Sequence, residues 1–69
     1  MLIEGTLVTT KVILPDMCRY GISKRTPGKV MEVRESWKPQ PYRVEFEGGP
    51  TGGYWMSEIE LEVQRVKQS

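Results

Sequence analysis

Glycine and proline decide what this chain can become. Seven Gly and five Pro punctuate its 69 residues at intervals that suit short strands joined by turns. Alanine, the residue that most favours a helix, does not occur at all. Val, Ile and Thr recur instead, and their branched side chains fit a pleated sheet. With 28% of residues charged, disorder is the rival reading, but the apolar residues fall into clean alternating runs.

The first run, residues 5–14, places Val8, Thr10, Val12 and Leu14 on one face and Leu7, Thr9, Lys11 and Ile13 on the other. Apolar residues on both faces imply a strand covered on both sides for part of its length. Pro15 stops it, since proline cannot donate to a ladder. Residues 15–27 hold no sustained period and read as a long, partly ordered loop, with Met17, Tyr20 and Ile22 folding back onto the core. A second strand spans residues 28–35. Its Gly28-x-Val30-x-x-Val33 spacing breaks strict alternation and predicts a bulge or sharp bend that swaps faces midway.

Residues 36–41 make an exposed connection stiffened by Pro39 and Pro41. The clearest strand is 41–47, with Tyr42, Val44 and Phe46 pointing one way and Arg43, Glu45 and Glu47 the other. Gly48 to Gly53 holds four glycines and reads as a hairpin turn into the return strand Tyr54-Trp55-Met56. Residues 57–60 read as a single helical turn capped by Ser57, and residues 61–63 as a short last strand. The expected fold class is therefore all-β: five short strands in a strongly bent sheet that closes on itself, with one helical turn before the last strand. One domain is expected over residues 1–66, with 67–69 a frayed tail.

So small a domain buries a modest share of its surface, and oligomerisation would be a natural supplement. The lone Cys18 excludes an internal disulfide, and the absence of His removes the commonest general base and metal ligand. No metal site and no cofactor are expected. No apolar run approaches the roughly 20 residues that span a bilayer, and no signal peptide is legible, so a cytoplasmic protein without membrane contact is expected. Ten Lys and Arg against nine Asp and Glu leave a formal charge of +1, which exerts no bulk pull on nucleic acid.

The order of elements resembles the SH3-like barrel in its KOW-type and related bacterial variants. Gly5-x-x-Val8-x-x-x-Val12, Pro27-Gly28-x-Val30-x-x-Val33, Tyr42-x-Val44-x-Phe46 and Ser57-x-Ile59-x-Leu61 carry the resemblance over nearly the whole chain. Leu14-Pro15, Gly21-Ile22 and Gly28-Lys29-Val30 are also similar to short bacterial domains of unknown function with this architecture. These are structural glycines and core apolars, so the resemblance implies a fold far more than a function. KOW-type modules often bind RNA or transcription factors.

A second resemblance implies an enzyme. Tyr42-x-Val44-Glu45-x-Glu47, with Pro50 and then Leu61-Glu62, is similar to the plasmid-borne type II dihydrofolate reductases, SH3-like barrels whose tetramer forms one central active pore. That family's Val-Gln-Ile-Tyr stretch corresponds here to Gly53-Tyr54-Trp55-Met56. The glutamine and tyrosine roles are lost at their positions, and four copies of Trp55 would crowd such a pore.

Paired carboxylates such as Glu45 and Glu47, or Glu58, Glu60 and Glu62, could serve acid–base chemistry, but a solvated face that guards sheet edges is the stronger reading. Cys18 lacks any His to activate it and reads as a semi-buried apolar contact. The aromatics are the best binding candidates. Tyr20, Trp37 and Trp55 come from the early loop, the second connection and the fourth strand, regions that the barrel resemblance implies lie together on one face. Such a groove would suit a proline-rich or acidic peptide, and the alternative is that Trp37 closes the barrel end while Trp55 lies at a homo-oligomer contact. Arg19, Lys24, Arg25 and Lys29, with Tyr20 interleaved, are candidates for weak, salt-sensitive nucleic-acid or acidic-ligand contact. The reading is thus a non-catalytic binding or assembly module whose partner is a protein, a peptide or a second copy, with nucleic acid as the alternative.

Overall fold

The computed structural model describes residues 1–64. Five antiparallel strands, β1 (Leu7–Thr10), β2 (Gly28–Val33), β3 (Tyr42–Phe46), β4 (Tyr54–Met56) and β5 (Leu61–Val63), form one sheet in the order β4-β3-β2-β1-β5. The sheet curls into a half-barrel, a shape compatible with an SH3-like barrel. The domain boundary at 66 and the tail at 67–69 lie outside the described residues.

Curvature comes from the second strand. Val30 opposes Val44 while Glu32 opposes Arg43, so Met31 is an extra residue with no partner on β3. This is the bulge that the Gly28-x-Val30-x-x-Val33 spacing predicts, and it turns both Val30 and Val33 toward the core. Gly28 lies beneath Phe46, where an added Cβ would come within 2.7 Å of the ring. The face of β3 bearing Tyr42, Val44 and Phe46 is buried, as its alternation requires. With Val8, Met17, Ile22, Val30, Met56 and Leu61 it makes the core, each aliphatic side chain contributing about 1.5–3 kcal/mol on burial.

Several expectations about the first part of the chain are corrected. The first strand ends at Thr10, short of Leu14. The buried Thr10 hydroxyl accepts from the Val12 N–H at 3.1 Å and donates to the Val12 carbonyl, which folds the chain away from the sheet before Pro15 is reached. Leu7, Val12 and Ile13 are consequently exposed, and β1 is covered on one face only.

The segment 15–27 is more ordered than its lack of period suggests. Pro15–Tyr20 is a 3-10 turn, closed at its end by Gly21 in the left-handed region (φ 69°), whose N–H reaches the Cys18 carbonyl. Met17 and Ile22 do fold onto the core, but Tyr20 does not and is 44% exposed. Cys18 is also exposed, not semi-buried.

Two further 3-10 turns follow, Glu35–Trp37 in the second connection and Glu58–Glu60 before β5. In the last, the Glu60 carboxylate accepts from both the N–H and the hydroxyl of Ser57, each at 2.9 Å. The Lys38–Pro39 peptide is cis. No helix among the described residues is long and apolar enough to cross a membrane.

Candidate binding surface

Pleat parity sorts the fourth strand. Tyr54 and Met56 lie on the core side with their partners Val44 and Tyr42, so Trp55 is directed outward beside its partner Arg43. The turn Glu35–Trp37 brings the second tryptophan over it. Three backbone bonds hold this connection: Arg34 N–H to Pro41 O at 2.7 Å, Trp37 N–H to Arg34 O at 2.9 Å and Gln40 N–H to Trp37 O at 3.0 Å. The Trp37 and Trp55 rings meet at 4.4 Å between centroids, tilted by 47°. Trp37 remains 47% exposed although its neighbour covers one side.

An arginine completes the cluster. The Arg34 guanidinium stands 4.6 Å from the Trp37 ring and 5.7 Å from that of Trp55, a cation–π geometry. Its Nε donates to Glu32 Oε2, and Glu32 Oε1 in turn accepts from Arg43 Nε at 3.2 Å. Arg43 also donates to Glu45 at 2.9 Å. Hydrogen bonds from Arg34 and Arg43 hold the Glu32 carboxyl below the usual carboxylate range, and the bond to Glu32 pushes Arg43 higher still. Two acids and two arginines therefore fix the outer face beside the tryptophans as a charge-balanced network.

Tyr20, the third expected aromatic, does not join them. Among the described residues the stacked rings are Trp37 with Trp55 and Phe46 with Tyr54. The Tyr20 backbone lies near Gly48 at the base of the hairpin, and its phenol acts electrostatically on Tyr54, on the other side of β4 from Trp55. Tyr54 donates to Asp16 Oδ2 at 3.1 Å, and partial burial together with that carboxylate raises its pKa to about 12.

The basic candidates Arg19, Lys24, Arg25 and Lys29 are all exposed, and none forms an ion pair among the described residues. Lys29 faces Glu45 across the β2–β3 ladder. Of the candidate carboxylates, Glu45 is engaged by Arg43, Glu60 by Ser57, and Glu58 by the Tyr42 hydroxyl at 3.1 Å. No three metal-ligating side chains gather among the described residues.

Sequence reading missed Arg34, Glu32 and Arg43. The Arg34-x-x-Trp37 spacing is a usable local signal once a turn is known there. Arg43 beside Trp55 is visible only from strand register. It also missed a cleft lined by Lys38, Pro39, Pro41, Tyr42 and Ile59, whose walls lie far apart in the chain. Compared with known protein families, curated proteins and solved structures, the chain matches none.

Proposed function

We propose that the half-barrel is an SH3-like barrel serving as a non-catalytic binding module, and that it contacts a protein partner through Trp37, Trp55 and Arg34. The observation that supports this is the half-exposed Trp37 stacked on Trp55 on a rigid, hydrogen-bonded turn. Large aromatics held in one conformation lose little entropy on contact, which is why Trp and Arg recur among the energetic anchors of interfaces. The neighbouring charges are already paired, so the surface favours apolar and planar groups over a strongly charged ligand.

A second reading has its own support in four exposed cations, Arg19, Lys24, Arg25 and Lys29, which form no ion pair among the described residues, with the exposed Tyr20 among them. Those are the materials of a weak phosphate-binding surface.

One experiment ranks the two. Immobilised wild-type protein, Trp37→Ala and Lys24→Glu/Arg25→Glu are compared for capture from lysate, with and without nuclease. Losing a central aromatic anchor costs about 2 kcal/mol or more, roughly thirtyfold in affinity, so Trp37→Ala should lose its protein partners. Partners lost only with the double charge reversal or with nuclease would establish the nucleic-acid reading instead. A Trp37→Ala protein with unchanged partners would rule out the tryptophan surface.

A further inference from the structure

Beyond the tryptophan pair the half-barrel carries a second surface, a cleft of about 360 Å³ lined by Lys38, Pro39, Pro41, Tyr42, Glu58 and Ile59. Its walls are stiff. Two proline rings form one side, and the turn Glu58–Glu60 on the other is locked by Glu60 against Ser57. The floor is Tyr42, only 3% exposed and tied through its hydroxyl to Glu58.

Ile59 stands on the rim and is 84% exposed, between two glutamates whose own carboxylates are engaged. A lone exposed aliphatic residue needs no explanation, but one standing on the rim of an apolar cleft supplies a knob and a hole on one face. The same face supplies both charges. Lys38 has no carboxylate partner among the described residues, and the only ion pair that Glu58 makes there is with the Met1 amine at 3.9 Å.

A two-fold contact requires a surface that is its own complement, so that each residue and its target appear together on every copy. We propose that this face joins two copies of the chain, Ile59 of each entering the cleft of the other and Lys38 of each meeting Glu58 of the partner subunit. The contact supplies a small domain with burial that it cannot obtain alone. It is separate from the tryptophan surface, and either can fail without the other.

Sedimentation equilibrium of the purified chain from about 1 µM to 1 mM tests this, because mass action drives a weak dimer together over that range. The wild type should shift from monomer to dimer. Ile59→Asp should raise the dissociation constant by about thirtyfold or more, with circular dichroism unchanged because the side chain lies in solvent. Lys38→Glu and Glu58→Lys should each weaken the dimer alone, and an equimolar mixture of the two should restore it, since both crossed pairs are then re-formed. Should Glu58→Lys misfold for want of the acceptor of Tyr42, Ile59→Asp and Lys38→Glu decide the matter.

Trp37→Ala should leave the mass unchanged. A monomer at every concentration overturns the proposal. So does a dimer indifferent to Ile59→Asp and Lys38→Glu, or one that dissociates in Trp37→Ala instead.

Discussion

Tyr54 ties three parts of the molecule together at a single phenol. Its ring packs 6.3 Å from that of Phe46, its hydroxyl reaches Asp16 in the first 3-10 turn, and its backbone pairs with Val44. Ionising it would put a second negative charge beside that carboxylate in a partly buried place, so its pKa lies at about 12 in the folded protein, against an ordinary 10.0. The folded state holds this proton more tightly than the unfolded chain does. The resulting stability is therefore full below pH 10 and lost as pH rises toward 12. A spectrophotometric titration should show one phenol ionising near that upper value, and Tyr54→Phe should delete the step. Trp37 differs in kind. Its stacking on Trp55 contributes about 0.5–1.5 kcal/mol, so Trp37→Ala should stay folded while melting several degrees lower.

Among the elements, β3 is the one whose position follows most directly from its residues. Tyr42, Val44 and Phe46 alternate with charges, and a period of two admits only one buried face. Val44 is fully buried between Val30 and Tyr54, so Val44→Asp should leave the domain unfolded by circular dichroism, while Glu45→Asp on the opposite face should change the melting temperature little. The bulge was equally legible, because Gly28-x-Val30-x-x-Val33 cannot face one core without an extra residue.

Other elements were not legible, for identifiable reasons. β1 stops at Thr10 because a buried hydroxyl bonds to the backbone two residues on, an option that hydrophobic patterning does not register. The Pro15–Tyr20 turn has only Met17 buried, too little periodicity to announce a helix. Trp37 and Trp55 were each legible as candidates, but their meeting, and the exclusion of Tyr20 from it, depend on a turn and a register between distant residues.

At the scale of the whole molecule, the proposed non-catalytic role is set against the enzyme reading. The enzyme suggested by the Tyr42-x-Val44-Glu45-x-Glu47 pattern needs a pore lined by a glutamine and a tyrosine. Here β4 turns Trp55 outward against Trp37 and commits the Tyr54 hydroxyl to Asp16. If the proposed binding module is correct, dihydrofolate turnover with NADPH should not rise above background, and turnover that vanished in Tyr54→Phe would replace that proposal with the enzyme.

The strand order also bears on when the domain can be completed. β5 joins the sheet only through β1, with Val63 opposite Val8, so the two most distant strands must meet to finish it. Closing a loop of that length costs entropy before any ladder bond repays it. On the ribosome, β1 would emerge early and wait with one edge bare until residues 61–63 cleared the exit tunnel. The hairpin of β3 and β4, together with β2, can pair without β5, but the last strand can be added only once residues 61–63 are outside the tunnel. A nascent chain stalled before Leu61 has left the tunnel should therefore remain protease-sensitive at its N-terminal strand.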